Sequence, residues 1–306
     1  MPNPLIAARN RILPALVTPL TSEGALDERS LEHLIDHLYS SGMGGLYVTG
    51  STGEGIYLDT AIRKRVVEIA VAHSRGHGQV LVHVGSISAM QAFDLAKHAA
   101  ATGADGVSSI PPFVGGYSPA EVVDFYRSLA SASPLPVVGY YIPQLTGQAF
   151  SIDRVCELMA IDNVVGFKFT HTDLYVLERV MQHVGPSKIV YFGTDEMLCH
   201  GLALGAHGGI GTTYNFMPKL ILEVATLSAA RRFDEAQRVQ KQVNEIIEIL
   251  LSYQGLAASK QILVWQGHIA AERCAPPRAS LTAEQKQSLR ARLKPTAIGE
   301  SLVKAD

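Results

Sequence analysis

A chain of 306 residues that is 47 % hydrophobic holds enough apolar material for a large core, as one domain or as a barrel with a small appendage. Its net charge of -2 gives no electrostatic case for nucleic acid or an anionic membrane, and no apolar run approaches the roughly 20 residues of a transmembrane helix. The opening Met1-Pro2-Asn3-Pro4 lacks the regions of a secretory signal, and Cys156, Cys199 and Cys274 show no CxxC spacing, which reads as the reduced thiols of a cytoplasmic protein.

Ile12 to Thr18 reads as a short apolar strand, followed by the turn-rich Thr21-Ser22-Glu23-Gly24. Asp27 or Ser30 can cap the next helix, whose Leu31, Leu34, Ile35 and Leu38 share one face. The alternation then repeats. Gly45 to Thr49 is a strand and Ala61 to His73 a helix; Val80 to Val84 is a strand, and Ser88 opens a helix that stops near Gly103. Asp105 to Ile110 is a strand, and Ser118-Pro119-Ala120-Glu121 is a capping box with proline at the first helical position. Val137 to Ile142 is a strand, and Ser151 caps a helix carrying Val155 and Leu158. After a strand from Val164 to Thr170 come a helix from about Leu174, the strand Ile189 to Phe192, a helix from about Glu196, the strand Gly208 to Thr212 and a helix from about Lys219.

Eight strand-then-helix units with short connections imply parallel strands and right-handed crossovers, hence an α/β fold of the (β/α)8 TIM-barrel type. From Phe233 onward only helical periodicity remains: Ala236, Val239, Val243, Ile246, Ile247 and Leu250, then a segment through Ile262 and Trp265, then about Ala283 to Leu293. The expected organisation is a barrel over residues 1–230 and a C-terminal helical extension over 231–306.

The run Val164-Val165-Gly166-Phe167-Lys168-Phe169-Thr170 is unusual because a lysine sits inside an apolar strand. Alternation places Gly166, Lys168 and Thr170 on one face, suited to a cavity, and Val165, Phe167 and Phe169 on the other, suited to packing. Burial disfavours the charged form of an amine, and no Asp or Glu lies within four residues to hold it, so a neutral nucleophile towards a carbonyl is the chemical reading. The plainer alternative is a snorkelling edge lysine. Lys188 stands at the start of a strand, where a solvated amine is the simple reading.

Catalytic groups of such barrels collect at the C-terminal strand ends. Read in order, those ends bring Thr18, Gly50-Ser51-Thr52-Gly53-Glu54, Tyr140-Tyr141-Ile142-Pro143, Lys168-Phe169-Thr170, Gly193-Thr194-Asp195-Glu196 and Gly211-Thr212-Thr213-Tyr214. An amine, phenols, hydroxyls and glycine-freed amides are what imine chemistry on a keto acid requires. Gly50 to Gly55 lacks the lysine of a Walker motif and the spacing of GxGxxG. His33 and His37 share a helical face that reads as solvated, and His83, His171 and His207 form no ligand set, so neither metal nor organic cofactor is expected. Asp195 and Glu196 would also suit a helix start on dipole grounds alone.

Together, Gly50-Ser51-Thr52-Gly53-Glu54, Tyr140-x-Ile142-Pro143 and Gly166-Phe167-Lys168 resemble the signatures of the pyruvate-dependent class I aldolases, the dihydrodipicolinate synthase and N-acetylneuraminate lyase superfamily, over about residues 12 to 300. The resemblance implies Lys168 as the Schiff-base lysine, Tyr140 as proton relay, Ser51 and Thr52 on the pyruvyl carboxylate, and Thr170 beside the imine. Leu145 stands where the synthases of this superfamily carry an arginine for a second carboxylate. Asp195, Glu196 and Thr212, with Gly193 before them, match the positions that bind a sugar's polyol tail in the lyases. The resemblance therefore implies a small-molecule keto-acid substrate, cleavage of N-acetylneuraminate, and a cytoplasmic homotetramer. Val114 or Gly115 stands where relatives place a tyrosine that crosses between subunits, with Tyr117 close by, and Tyr141 replaces an asparagine in the pocket wall. The alternatives are a shorter 2-keto-3-deoxy sugar acid, a synthase-like reaction, or a non-catalytic keto-acid or sugar sensor.

Overall fold

The computed structural model describes Leu5, residues 12–185 and residues 187–303; the opening Met1–Pro4 and the final 304–306 of the expected extension lie outside the described residues. The eight expected strands are present as β1 (Ile12–Pro14), β2 (Gly45–Val48), β3 (Gln79–His83), β4 (Gly106–Ser109), β5 (Val137–Tyr141), β6 (Val164–Phe169), β7 (Ile189–Phe192) and β8 (Gly208–Gly211). They pair in parallel in the order β1-β8-β7-β6-β5-β4-β3-β2. A parallel bridge between Ala15 and Tyr47, with the Leu16 N–H donating to the Tyr47 carbonyl at 2.9 Å, brings β1 against β2 and curls the sheet into a barrel.

Parallel neighbours need crossovers, and helices supply them. These are α1 (Glu28–Ser40), α2 (Thr60–Ser74), α3 (Ala89–Thr102), α4 (Pro119–Ala132), a short α5 (Pro143–Thr146) followed by α6 (Ile152–Met159), α7 (Leu174–His183), α8 (Leu198–Ala203) and α9 (Pro218–Ala229). Local chemistry sets their starts. Asp27 accepts from the Ser30 N–H, and the Ser118–Glu121 capping box forms both of its bonds. The short α5 was not expected; Pro143 at its first position and left-handed Gly147 at its end confine it to one turn.

Two apolar sets result. One fills the space between strands and helices, and α1 contributes Leu31, Leu34, Ile35 and Leu38 to it. The other fills the barrel interior with Leu13, Tyr47, Leu81, Ile110, Val138, Tyr140, Ile189 and Ile210. After the barrel come α10 (Phe233–Leu251), α11 (Gly255–Gln266) and α12 (Ala283–Leu293). Most of α11 is buried, including Lys260 and Trp265, so it is no surface helix. Among the described residues no helix is long and apolar enough to cross a membrane.

Candidate functional site

Strand β6 supplies the central amine. Phe167 and Phe169 join the set under the helices, whereas Val165 packs inside the barrel with Val138 and Tyr140. This corrects the simple alternation, which grouped Val165 with the phenylalanines. The register slips between Val137, opposite Val164, and Val138, opposite Gly166, so β6 carries one extra residue. Such a bulge shifts the face-to-face count by one. Gly166 is required there, because a Cβ would fall 2.0 Å from the Ile189 carbonyl oxygen.

Beyond the bulge Lys168 points inward and is 5 % exposed. Its Nζ lies 4.0 Å from the Tyr140 ring centroid and 5.1 Å from that of Tyr47. Among the described residues it makes neither an ion pair nor a hydrogen bond. Tyr140 stands edge-on to Tyr47 and His83, with centroids 6.1 and 5.9 Å away, and its backbone N–H donates to the Tyr126 hydroxyl at 3.4 Å. Burial pushes the Tyr47 phenol well above its ordinary range, while its hydroxyl donates to Ser108 Oγ at 3.2 Å. His83 accepts from the Ile110 N–H at Nε2, which leaves Nδ1 to donate to the Thr49 carbonyl. Burial, then the Arg63 charge, holds His83 down at about 3, so it is a neutral core group rather than a base.

The loop after β2 presents Ser51 and Thr52. Thr49 and Glu54 both take left-handed backbone, with φ of 57° and 58°, a strained choice for residues with a Cβ. Side chains hold it: Thr18 Oγ1 donates to the Gly53 carbonyl at 2.7 Å, and Thr49 Oγ1 to the carbonyls of Val48 and His83. Glu54 is fully buried against fully buried Lys260 of α11, 2.5 Å apart. Its other oxygen accepts from the Ala275 N–H at 2.7 Å, and Lys260 also donates to the Arg273 carbonyl at 2.7 Å. Sequence reasoning missed this pair. Its one available signal was a lysine between Ala257-Ala258 and Ile262-Leu263, which needs a buried anion.

A cleft of about 520 Å³ opens above the strand ends. Ser51, Thr52, Thr170, Gly193, Asp195, Glu196 and Thr212 line it; Lys168 and Tyr140 lie buried beneath and are not part of the lining. Gly193 bridges the two levels, since a Cβ there would fall 2.0 Å from Thr170 Oγ1 and 3.1 Å from Lys168 Cε. Thr170 Oγ1 is buried and has no hydrogen-bond partner among the described residues. The hydroxyls of Thr52 and Thr212, expected to serve opposite ends of a ligand, lie 2.6 Å apart and share a hydrogen bond.

Asp195 Oδ2 accepts from the Thr213 N–H and hydroxyl, both at 2.8 Å. Burial pushes the Asp195 carboxyl up to about 6, against those two bonds and the charge of Lys168, which pull it down. Helix α10 holds the backbone of this acidic pair: Gln240 Nε2 donates to the Asp195 carbonyl at 2.9 Å, and Asn244 Nδ2 to that of Glu196 at 3.1 Å. The extension also walls the cleft through Ile247, Leu250, Leu256 and Arg278.

Three expectations change. Tyr141 is no pocket wall; it stacks on Phe169 at 5.0 Å in the layer under the helices. Tyr117 and Val114 are exposed and outside the cleft lining. His37 is not on a solvated face, because the His268 ring stacks on it at 3.6 Å. Among the described residues no group of three or more His, Cys, Asp or Glu side chains could hold a metal ion.

The site can be set beside known proteins. The model of the dihydrodipicolinate synthetase family matches residues 8–296. An N-acetylneuraminate lyase of Rhizobium meliloti is 37 % identical over 252 residues, which are 82 % of this chain and 84 % of that protein. One from Enterobacter sp. is 34 % identical over 286 residues, 92 % and 95 % of the two chains. The crystal structure of CdNal from Clostridium difficile in complex with mannosamine superposes with a TM-score of 0.90 at 31 % identity, covering 94 % of this chain and 98 % of that one. Agreement over nearly the whole length, in sequence and in fold, places the chain in the dihydrodipicolinate synthetase family.

Proposed function

We propose that this protein is a Schiff-base lyase that cleaves N-acetylneuraminate into pyruvate and N-acetylmannosamine. The observation that carries the reading is Lys168, an amine without a counter-ion among the described residues, set under the cleft and against the Tyr140 ring. Lys168 would add to the keto carbon and expel water, giving a protonated imine that serves as electron sink. Tyr140, whose hydroxyl makes no hydrogen bond among the described residues, would take the proton from the hydroxyl two carbons from the imine carbon. The carbon–carbon bond then breaks, its electron pair moves into the imine to form an enamine, and the sugar leaves as an aldehyde. Protonation of the enamine and hydrolysis return pyruvate and the free lysine.

Ser51 and Thr52 would hold the carboxylate, with Thr170 beside the imine. Gly193, Asp195, Glu196 and Thr212 would take the polyol tail. Residues 1–230 would form the catalytic barrel and 231–306 the outer wall of its cleft. The family resemblance also supports a cytoplasmic homotetramer, and the exposed Ile87 and Met90 offer apolar surface for subunit contact; sedimentation would measure its size.

One observation favours a shorter 2-keto-3-deoxy acid instead: the Thr212 hydroxyl is already engaged by Thr52. A panel of keto-sugar acids assayed by pyruvate release tests the choice. N-Acetylneuraminate should be cleaved far better than a six-carbon acid; the reverse order keeps the mechanism and removes the sialic-acid assignment. Aspartate semialdehyde should not serve as acceptor, since Leu145 offers no hydrogen bond to a second carboxylate.

A further inference from the structure

His171 follows Thr170 at the end of β6 and lines the cleft beside it. The chain sets its tautomer. Nδ1 lies 3.0 Å from the Asp173 backbone N–H, a group that only donates, so Nδ1 accepts and the neutral ring carries its proton on Nε2. The ring is also held in place. Tyr141 and Phe169 flank it at centroid distances of 6.1 and 6.4 Å, and Thr194 Oγ1 donates to its carbonyl at 3.3 Å. Among the described residues the Nε2–H has no hydrogen-bond partner.

Besides His171, the lining offers the donors Gln144 and Arg278, while much of the rest accepts or is already engaged. Asp195 and Glu196 are acceptors, suited to hydroxyls. The Thr213 hydroxyl is given to Asp195, that of Ser259 to the Gly255 carbonyl, and those of Thr52 and Thr212 to each other. An acyl carbonyl on the substrate is itself an acceptor and needs a fixed donor. Resting on the function proposed above, we propose that His171 is a specificity-determining residue whose Nε2–H donates to the N-acyl carbonyl of the sugar acid. The position agrees. His171 lies two residues past the end of β6 and shares the cleft wall with Thr170, Gly193 and Asp195. A substrate bound at Nζ through its keto carbon would extend into the cleft whose wall includes the imidazole.

His171→Phe keeps the ring contacts and deletes the donor, while His171→Gln keeps an N–H near the place of Nε2. The assay measures kcat and KM for N-acetylneuraminate and for its analogue with a hydroxyl in place of the N-acetyl group. We expect His171→Phe to raise KM for N-acetylneuraminate roughly tenfold, the scale of one lost hydrogen bond. Its kcat and the analogue's KM should move less than about twofold on that scale, and His171→Gln should restore most of the loss. Equal changes for both compounds, or none, would overturn the assignment. So would loss of pyruvate–borohydride labelling of Lys168 in a His171→Phe protein with an unchanged unfolding midpoint, which would show that the ring serves the lysine rather than the acyl group. Failure of the underlying function is seen separately, as a wild-type protein that releases no pyruvate from either compound, and that result removes both proposals.

Discussion

Lys168 and Lys260 are both buried, yet only one of them has a counter-ion. Lys260 faces Glu54 at 2.5 Å and donates again to the Arg273 carbonyl, so its charge is balanced and its protons are placed. Lys168 faces the rings of Tyr140 and Tyr47 and, among the described residues, has no carboxylate in contact. Ring faces attract a cation but accept no proton and fix no direction. Burial alone therefore does not mark a reactive lysine. Burial without an anion, beside an open cleft, does.

The sharpest way to break this comparison is to remove each amine. Lys168→Ala should abolish covalent labelling by pyruvate and borohydride, read by intact mass, and abolish turnover, with the unfolding midpoint little changed. Lys188→Ala should do neither. Labelling that survives Lys168→Ala would remove the distinction between the buried amines.

Lys260→Met should behave in the opposite way. It leaves Glu54 buried and unpaired, and denaturant unfolding should show a loss of about 3–5 kcal/mol. The double variant Glu54→Gln/Lys260→Met should recover much of that loss, because no uncompensated charge remains. A double variant as unstable as the single one would show that the pair is held by packing rather than by charge.

Tyr140→Phe separates the phenol from the ring that faces Lys168. Turnover should fall by roughly 10²–10⁴-fold, the usual scale of general acid–base help, while labelling of Lys168 persists. If Tyr117→Phe proves the more damaging change, the proton route runs through the loop before α4 instead.

Asp195 is the acidic group whose titration feels Lys168. Asp195→Ala should narrow the preference for N-acetylneuraminate over a six-carbon acid by about 1–3 kcal/mol, the cost of a polar partner lost. The smallest effect is on pH dependence. The folded carboxyl is held at about 6 against an ordinary 3.8, so the unfolded chain releases its proton first. This contribution to stability is complete below about 3.8, is lost as pH rises towards about 6, and is flat above. Asp195→Asn should remove that slope from unfolding curves measured across this interval.

Much of this was legible in the sequence because the signals were local. A strand buried on both faces reads as a continuous apolar run, and a covering helix repeats its leucines at three and four, as α1 does. The lysine of β6 stood out against that background. What stayed hidden depends on pairing at a distance. The bulge that turns Val165 inward is a property of β5 and β6 together. Glu54 and Lys260 are separated by 206 positions, and Thr52 and Thr212 by 160. The stacking of His37 on His268 likewise appears only once the chain beyond α11 returns to α1.

The Glu54–Lys260 link also orders events in time. A ribosome that has finished the loop after β2 must add a further 206 residues before the cation that neutralises Glu54 exists. At 5–20 residues per second, that interval is about 10–40 s. During it the loop carries the Glu54 carboxylate without the helix whose lysine neutralises it. Ser51 and Thr52 are thus among the earliest parts of the cleft to be synthesised, and the support beneath them is among the last to arrive.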